Sequence, residues 1–377
     1  MRRTVLATLT ALTALTAIGM LPTALAQSNT FTVDCNRGQK VATALELGDF
    51  RKPVVINVRG TCREFVTITR AYVTLRGDPE AEIVAPDNGQ DLLTVSADRV
   101  TLENLTLTGG LAGLALDHGP SFYADKLVIQ DPSQVGVRVR VGDARLNNCT
   151  VQGSGNIGVS LVRGATAILG NCQVLDSGGV GVSVTRNSFV NINRSTIMGS
   201  GAQGVLLTEG SSGSITNGST IAENEGNGID VNQSQLLVTG TNTTANTISD
   251  NGGFGIGGHS SSIGVDDNTI TGNAREGVMG YIGTTLVLHG NVISNNGASG
   301  VTSMGNSLVQ IGRATIENNG NNGITLAWGA KLILEEPATA VNGNTNYALW
   351  CADKESSYMA MAPLGTTDPI ECTDFDN

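Results

Sequence analysis

Three side chains suited to acid–base chemistry occur at similar intervals in the second half of the chain. Asp230, His259 and Tyr281 follow one another at spacings of 29 and 22 residues. A lyase or epimerase acting on a carboxylated sugar must remove a proton beside the carboxylate, and a histidine and a tyrosine can serve as its base and acid. The alternative is that all three are ordinary exposed residues. The catalytic hypothesis therefore needs a fold that brings these positions together.

Cationic and aromatic residues could bind such a substrate. Guanidinium groups hold carboxylates through paired hydrogen bonds, and an aromatic surface suits sugar rings. The candidate binding residues are Asp117, His118, Arg138, Arg140, Arg163, Arg186 and Trp328. Salt-bridged surface charge is the alternative for the charged members, and packing at the solvent edge is the alternative for Trp328. The set predicts a basic, aromatic surface on a chain whose formal net charge is −11.

Three aspartates offer hard oxygen ligands for a cation. Asp250, Asp266 and Asp267 could bind calcium, although aspartates in tight turns are the simpler interpretation. No spacing is typical of a zinc site, a phosphate-binding loop or a hydrolase nucleophile elbow. We therefore expect no cofactor, with calcium as the one candidate ion.

The elements that would position these residues follow from a repeated glycine. Each of these glycines precedes Val or Ile, and another aliphatic residue lies seven positions before it. The glycines are Gly158, Gly181, Gly204, Gly228, Gly255, Gly277, Gly300 and Gly323. Intervals of 22 to 27 residues are typical of a solenoid, in which each repeat stacks on its neighbours.

Each repeat holds three short strand patterns separated by turns. In one repeat they are Thr150–Gln152, Gly158–Leu161 and Thr166–Leu169. Alternating aliphatic residues bounded by Asn, Gly and Ser predict an all-β, three-faced parallel β-helix of roughly 11 to 13 coils. Lys40–Leu47 has helical spacing and is predicted to cap the first coil. Residues at equal phase then share a face, and the candidate catalytic and binding residues fall on one of them.

Residues 1–26 have the pattern of a secretory signal. A charged start and an apolar stretch precede the cleavage triplet Ala24-Leu25-Ala26. Cleavage would leave a mature chain that begins at Gln27 and resides in the periplasm or outside the cell, whereas a membrane anchor is the alternative. No later segment is apolar enough to cross a bilayer, and the acidic net charge disfavours nucleic acid as a partner.

The six cysteines agree with an oxidising compartment. The predicted disulfides, which would fasten the two ends of the solenoid, are Cys35–Cys62 and Cys351–Cys372. Cys149 and Cys172 are 23 residues apart, so they should lie about 4.8 Å apart along the stack. That spacing is near the lower limit for a disulfide, and a buried pair of free thiols is an equal alternative.

The repeat resembles the right-handed parallel β-helix proteins, the superfamily of the pectate lyases, and in particular their secreted bacterial members. The resemblance rests on the pattern Ile-x-x-Asn-Gly-x-x-Gly-Ile at residues 316–324 and covers residues 92–335. It implies a right-handed solenoid. We expect a single domain, with an N-terminal cap and first coils at 27–91 and a C-terminal cap at 336–377. No complete catalytic motif of the polygalacturonases or alginate epimerases is present.

Two functions are consistent with this sequence. The first is a secreted protein that binds, or cleaves, an acidic polysaccharide along the basic and aromatic face. The second is a non-catalytic surface or adhesin-like scaffold that contacts other proteins or the cell envelope. Convergent titratable groups in a groove would favour an enzyme, such as a polysaccharide lyase or epimerase, whereas a scaffold needs none. The oligomeric state is not predicted.

Overall fold

The computed structural model describes residues 29–241 and 243–372 of the 377-residue chain. The predicted signal segment at residues 1–26 lies outside these ranges. In the described part, short strands pair in parallel with the strands one coil before and one coil after them. The chain is therefore an all-β parallel solenoid of about 15 coils.

One flank of the solenoid is a sheet of 14 strands, which we call the candidate face. Val182 pairs with Val159 on one side and with Val205 on the other, so glycines one period apart lie on adjacent coils. Its strands are Val66–Ile68, Leu93–Val95, Ala112–Leu116, Val135–Arg140, Ile157–Val162, Val182–Val184, Val205–Leu207, Ile229–Asn232, Ile256–His259, Val278–Tyr281, Val301–Met304, Ile324–Ala327, Leu349–Cys351 and Ile370–Glu371. The outermost coils lack the repeated glycine, which is why the sequence pattern predicted fewer coils.

The other two flanks are joined into one sheet of 25 strands. Five-residue and three-residue strands alternate along the chain, and each kind stacks on its own series. The two series merge in the first coils, because Val100–Thr108 pairs with both Ser121–Asp125 and Val128–Gln130. The strands are Asn29–Asp34, Val54–Arg63, Val73–Val84, Val100–Thr108, Ser121–Asp125, Val128–Gln130, Asp143–Asn147, Thr150–Gln152, Thr166–Gly170, Gln173–Leu175, Phe189–Asn193, Thr196–Met198, Ser212–Thr216, Thr220–Ala222, Gln235–Thr239, Thr247–Ser249, Ser262–Asp266, Thr269–Thr271, Thr285–His289, Val292–Ser294, Leu308–Gly312, Thr315–Glu317, Lys331–Glu335, Ala340–Asn342 and Ser357–Ala360.

The interior consists of aliphatic columns that run along the solenoid. One column has no exposed surface at any member and comprises Ile197, Ile221, Ile248, Ile270, Ile293 and Ile316. Each such side chain contributes about 1.5–3 kcal/mol through its removal from water. The aliphatic residue seven positions before each repeated glycine is therefore the one that builds the core.

Short helical segments cover the first coil. The α-helix Val41–Leu45 follows the 3-10 turn Cys35–Arg37 and is shorter than the predicted 40–47. Glu64 accepts hydrogen bonds from the backbone N–H groups of Val41 and Ala42 at 2.8 and 3.2 Å, which satisfies donors that a helix start leaves free. Among the described residues, no helix has the length and hydrophobicity needed to span a bilayer.

Disulfides fasten both ends of the described stack. Cys35 is bonded to Cys62 and Cys351 is bonded to Cys372, as the cysteine positions predicted. The described part of segment 336–377 contributes further coils, since Leu349–Cys351 pairs with the preceding strand of the candidate face. The second disulfide therefore joins two successive coils near the C-terminal end.

A column of buried asparagines forms a hydrogen-bonded ladder at one corner. In each step the side-chain NH2 donates to the amide oxygen on the next coil at 2.9–3.0 Å. The backbone N–H of each of the first five members donates to the same oxygen at 3.1–3.2 Å. The members are Asn224, Asn251, Asn273, Asn296, Asn319 and Asn344.

We predict that Asn273→Ala lowers the free energy of unfolding by about 2–4 kcal/mol, because the buried N–H and NH2 groups of Asn251 lose their acceptor. The measurement is urea denaturation followed by circular dichroism. The matched control is Asn232→Ala, at an exposed position, which should change stability by less than about 0.5 kcal/mol. Equal costs for the two variants would show that the ladder does not stabilise the stack.

Candidate functional site

The candidate face carries the predicted columns of outward residues. Asp230 pairs with Gly257 on the next coil, and His259 pairs with Tyr281 on the coil after that. Asn232 is the partner of His259, so Asp230 lies one coil and two residue positions away from the imidazole. Residues that are 29 and 22 positions apart in the sequence thus occupy three adjacent coils.

Asp230, His259 and Tyr281 line one open depression of about 210 Å³. Gly257 helps to form it, because this coil carries no side chain between Asp230 and Met279 in the outward column. A methyl group at Gly257 would approach the ring of Phe254 to 3.2 Å and Oδ1 of Asp230 to 3.9 Å. The other lining residues are Asn227, Phe254, Gly258 and Met279.

The carboxyl group of Asp230 is half-buried in this depression. Burial raises the pKa of Asp230, whereas a hydrogen bond from Asn227 and the nearby His259 act to lower it. The Asn227 amide donates to Oδ2 at 3.1 Å. Its raised pKa makes Asp230 able to hold a proton at higher pH than an exposed aspartate can.

The imidazole of His259 has an unused polar atom. Nδ1 is buried and makes no hydrogen bond to any residue in the described ranges. The ring centroid lies 5.5 Å from that of Tyr281, at an interplanar angle of 51°. Buried polar atoms in proteins normally have a partner, so the unpaired Nδ1 marks His259 as an unusual residue of this depression.

Trp328 extends this line of rings. Its indole lies 6.1 Å from the Tyr281 ring, centroid to centroid, and we call His259, Tyr281 and Trp328 the aromatic ridge. Trp328 is 62% exposed and the neighbouring apolar residue Ile282 is 45% exposed. Both have positive backbone φ, 54° and 44°, which bulky and β-branched residues rarely adopt. Positive φ recurs at this corner in other coils, as at Arg163 and Ser260, so the backbone conformation belongs to the turn. What distinguishes Trp328 and Ile282 is that they are large, apolar and exposed.

Asp353 holds Trp328 in that conformation from the next coil. Its carboxylate accepts the backbone N–H of Trp328, and those of Gly329 and Ser356 at 3.4 and 2.8 Å. Burial acts to raise the pKa of Asp353, but these hydrogen bonds outweigh it and lower the pKa. Asp353 is thus a positioning residue for the end of the aromatic ridge.

The first arginines of the predicted basic surface are engaged by carboxylates. Arg138 forms an ion pair with Asp91, and its side chain is only 15% exposed. Arg140 lies 3.8 Å from Asp117, and His118 is exposed beside them at a positive-φ corner. Arg138 and Arg140 are thus both paired with carboxylates. This is the salt-bridge alternative for the cluster and not the substrate-binding one.

Arg163 and Arg186 are more open. Arg186 lies 3.3 Å from Glu209, with both side chains about 60% exposed, and such exposed pairs are worth little. Arg163 makes no ion pair within residues 29–241 and 243–372. The strand that precedes Arg186 lies two strands before that of Asp230, or about 10 Å along the stack.

The aspartates considered as calcium ligands do not converge. Asp266 lies 3.5 Å from His289, and Asp267 is paired with Arg313 at 2.8 Å. Across the described residues, the one group of three potential metal ligands within reach of one another is Cys35, Cys62 and Glu64. The two cysteines are bonded to each other and Glu64 caps a helix, so this group offers no metal site.

Sequence reasoning did not identify Asn227, Phe254 and Asp353 as parts of the site. Asn227 lies three residues before Asp230, in the turn that leads into its strand, and its Oδ1 accepts the Phe254 N–H at 2.9 Å. The regular period could have indicated Asn227. Asp353 lies beyond the regular repeats, so no period pointed to it.

We predict that acid releases the end of the aromatic ridge. The ionised Asp353 carboxylate stabilises the native position of Trp328 fully above the unfolded-state pKa of about 3.9. This stabilisation is lost as the pH falls through the lower pKa that Asp353 has in the folded chain. In a Trp350→Phe background, which leaves Trp328 as the sole indole, emission should change below about pH 4. Asp353→Ala should show the changed emission already at pH 7.

The exposed neighbour variant Lys354→Ala serves as the control and should keep the native emission at pH 7. Far-ultraviolet circular dichroism must show that the solenoid is intact in each case. Native emission in Asp353→Ala would contradict the positioning role.

Comparisons with known proteins agree with this architecture. The family described as "Right handed beta helix region" matches residues 91–235 and 180–345. A mutant of the periplasmic alginate epimerase AlgG is 13% identical with a TM-score of 0.50, covering 91% of this chain and 84% of that one. The catalytic unit of a GH87 α-1,3-glucanase from Streptomyces thermodiastaticus is 13% identical with a TM-score of 0.52, covering 92% and 70%. At such identities the likeness is one of fold, and no curated protein matches by sequence. The chain belongs to the right-handed β-helix family.

Proposed function

We propose that this protein binds an acidic polysaccharide along the candidate face and acts on it in the depression at Asp230, His259 and Tyr281. The observation that carries the proposal is the continuity of this depression with the aromatic ridge. A half-buried carboxyl, an imidazole with an unused buried nitrogen and a phenol lie on three adjacent coils. An exposed indole follows on the same flank.

The aromatic ridge suits a sugar ring. Pyranose rings have apolar C–H faces, and Tyr and Trp combine an apolar face with a polar edge. Trp328 and Ile282 are exposed and apolar at positions where other coils carry Arg163, Arg186 or Ser260. Exposed apolar side chains at a corner where other coils carry polar residues support a ligand as their partner.

The acidic character of the ligand follows from the open guanidinium groups. Arg163 is unpaired in the described structure, and the exposed pair of Arg186 with Glu209 can exchange its carboxylate for one on a sugar. Arg138 differs because its buried pairing with Asp91 removes it from the surface available to a ligand. We therefore assign ligand binding to Arg163 and Arg186 and a structural role to Arg138.

The proposed reaction is proton removal beside a uronate carboxylate. Burial raises the pKa of Asp230, which favours its neutral form and so lessens its repulsion of that carboxylate. His259 takes the proton from the adjacent carbon, whose electron pair forms a carbon–carbon double bond. The glycosidic oxygen leaves with a proton from Tyr281. Epimerisation would result instead if the glycosidic bond stayed intact and a proton returned to the same carbon from the opposite face of the sugar ring.

Two further observations agree with this proposal. The alginate epimerase and the α-1,3-glucanase that share the fold are enzymes named for polysaccharides, which makes their polymers suitable ligands to test. The two disulfides agree with a periplasmic or extracellular location, where such polymers are found.

A non-catalytic surface scaffold is the second candidate. It is favoured by the ion pairs of Arg138, Arg140 and Arg186, which neutralise much of the predicted basic surface. A scaffold would hold these charges for stability and would show neither polysaccharide binding nor turnover.

We predict that the purified chain releases unsaturated uronates from at least one of pectate, alginate and hyaluronan, detected by their ultraviolet absorbance. Epimerisation without release would be followed by proton NMR of alginate. His259→Gln and Tyr281→Phe should each lower the rate by about 10²–10⁴-fold with little effect on binding. Tyr123→Phe, at an exposed tyrosine on another flank, is the matched control. If neither activity is found on any of the three polymers, the catalytic proposal is contradicted, and polysaccharide binding or a scaffold role remains.

We predict that Trp328→Ala weakens polysaccharide binding on the order of tenfold, because the exposed platform of the aromatic ridge is lost. Isothermal titration calorimetry with oligosaccharides measures the change. Trp350→Phe is the control, since that residue lies outside the ridge. Unchanged affinity in Trp328→Ala would contradict the assignment of the aromatic ridge to sugar binding.

A further inference from the structure

Two buried cysteines on adjacent coils carry a further inference, which does not depend on the proposed function. Cys149 and Cys172 are 1% and 3% exposed and are not bonded in the structure. Thr150 pairs with Gln173, so the residues before them stand opposite each other on neighbouring coils. We propose that Cys149 and Cys172 are joined by a third disulfide between coils when the protein matures in an oxidising compartment.

The spacing between coils permits such a bond, as the C-terminal end of the chain shows. Trp350 pairs with Glu371, so Cys351 and Cys372 stand in the same relation on adjacent parallel strands. They are bonded with a Cα–Cα distance of 4.8 Å. The bonded pair Cys35–Cys62 has a Cα–Cα distance of 5.0 Å. Stacked cysteines in this solenoid are therefore within the range of disulfide geometry.

The two thiols make equivalent contacts in the interior. Cys149 Sγ lies 3.1 Å from the carbonyl oxygen of Asn147, and Cys172 Sγ lies 3.4 Å from that of Gly170, in each case two residues earlier in the chain. The two side chains therefore point the same way from adjacent coils, as a disulfide between coils requires.

The surrounding column shows what these positions normally hold. Cys172 donates its backbone N–H to Oγ of Ser195 at 2.9 Å, and Ser195 donates in the same way to Ser219 at 3.2 Å. The next member is Asn246, whose Oδ1 accepts from Ser219 at 2.9 Å. The column is thus filled by side chains that accept a hydrogen bond from the coil before. Serine fits the site, which makes it the suitable replacement for either cysteine.

The bond would form by exchange with a disulfide of the thiol oxidoreductase class. The Cys172 thiolate attacks one sulfur of that disulfide and releases a thiolate from it. The Cys149 thiolate then attacks the Cys172 sulfur of the mixed disulfide and releases the second thiolate. Two cysteine thiols are oxidised, one oxidant disulfide is reduced to two thiols, and the cysteine protons pass to the solvent. Both sulfurs are buried once the coils have stacked, so this exchange takes place during folding, before these coils close.

The test counts free thiols. The full chain is secreted into an oxidising compartment, or refolded in the presence of oxidised glutathione, and then denatured and alkylated with iodoacetamide without reductant. Intact-mass measurement should show no alkylated cysteine, and non-reducing peptide mapping should recover the 149–172 linkage. Two alkylated thiols mapped to these positions, or either cysteine bonded elsewhere, would overturn the proposal. This count is made on the unaltered sequence, so it does not depend on a variant that folds.

Variants give a second readout. Cys149→Ser alone should leave one alkylated thiol, on Cys172, and Cys172→Ser should leave one on Cys149. The double serine variant should unfold about 5–10 °C lower than the oxidised parent in non-reducing buffer, because the parent's unfolded state is constrained by the extra link. The parent with both thiols reduced should match the double variant. Equal melting temperatures for the oxidised parent and the double variant would contradict a stabilising third disulfide.

Discussion

The structure depends on the close approach of consecutive coils at the repeated glycine. A Cβ at Gly181 would lie 2.6 Å from the carbonyl oxygen of Gly204 and 2.6 Å from Cγ2 of Ile197. No side chain fits in that space, so glycine at this phase lets one backbone lie directly on the next. Because the side-chain period of a strand is two, a slip of one residue would turn the core outward. The glycine column and the isoleucine column beside it therefore fix the register together.

The candidate site is a consequence of that register. Asp230, His259 and Tyr281 come from three coils, and no local motif unites them. Parallel pairing sets their separation, and Gly257 leaves the space between them open. The same stacking forms the aromatic ridge, because Trp328 belongs to a later coil than Tyr281 and its ring still lies 6.1 Å from the tyrosine ring. Stacking thus converts residues one period apart into neighbours, and function needs only suitable side chains at the outward positions.

The phase of each column could be predicted from the sequence because glycine and the aliphatic residue seven positions earlier mark it in every central repeat. Residues that contact these columns from outside the regular period could not be predicted in this way. Asp91, which neutralises Arg138, lies 47 residues before it, in coils where the glycine is missing. Asp353, which accepts the backbone N–H of Trp328, lies beyond the last regular repeat. The number of coils was underestimated for the same reason, because the terminal coils stack by pairing alone.

The most direct test is NMR titration of the Asp230 carboxyl in the parent chain and in His259→Gln. Residues 29 positions apart influence each other's charge only if their coils are adjacent. Stacking in the register described here predicts an Asp230 pKa above that of an ordinary aspartate, and a further rise when the imidazole is removed, since its positive charge favours the carboxylate. An Asp230 that titrates like an exposed aspartate in both proteins would contradict the site.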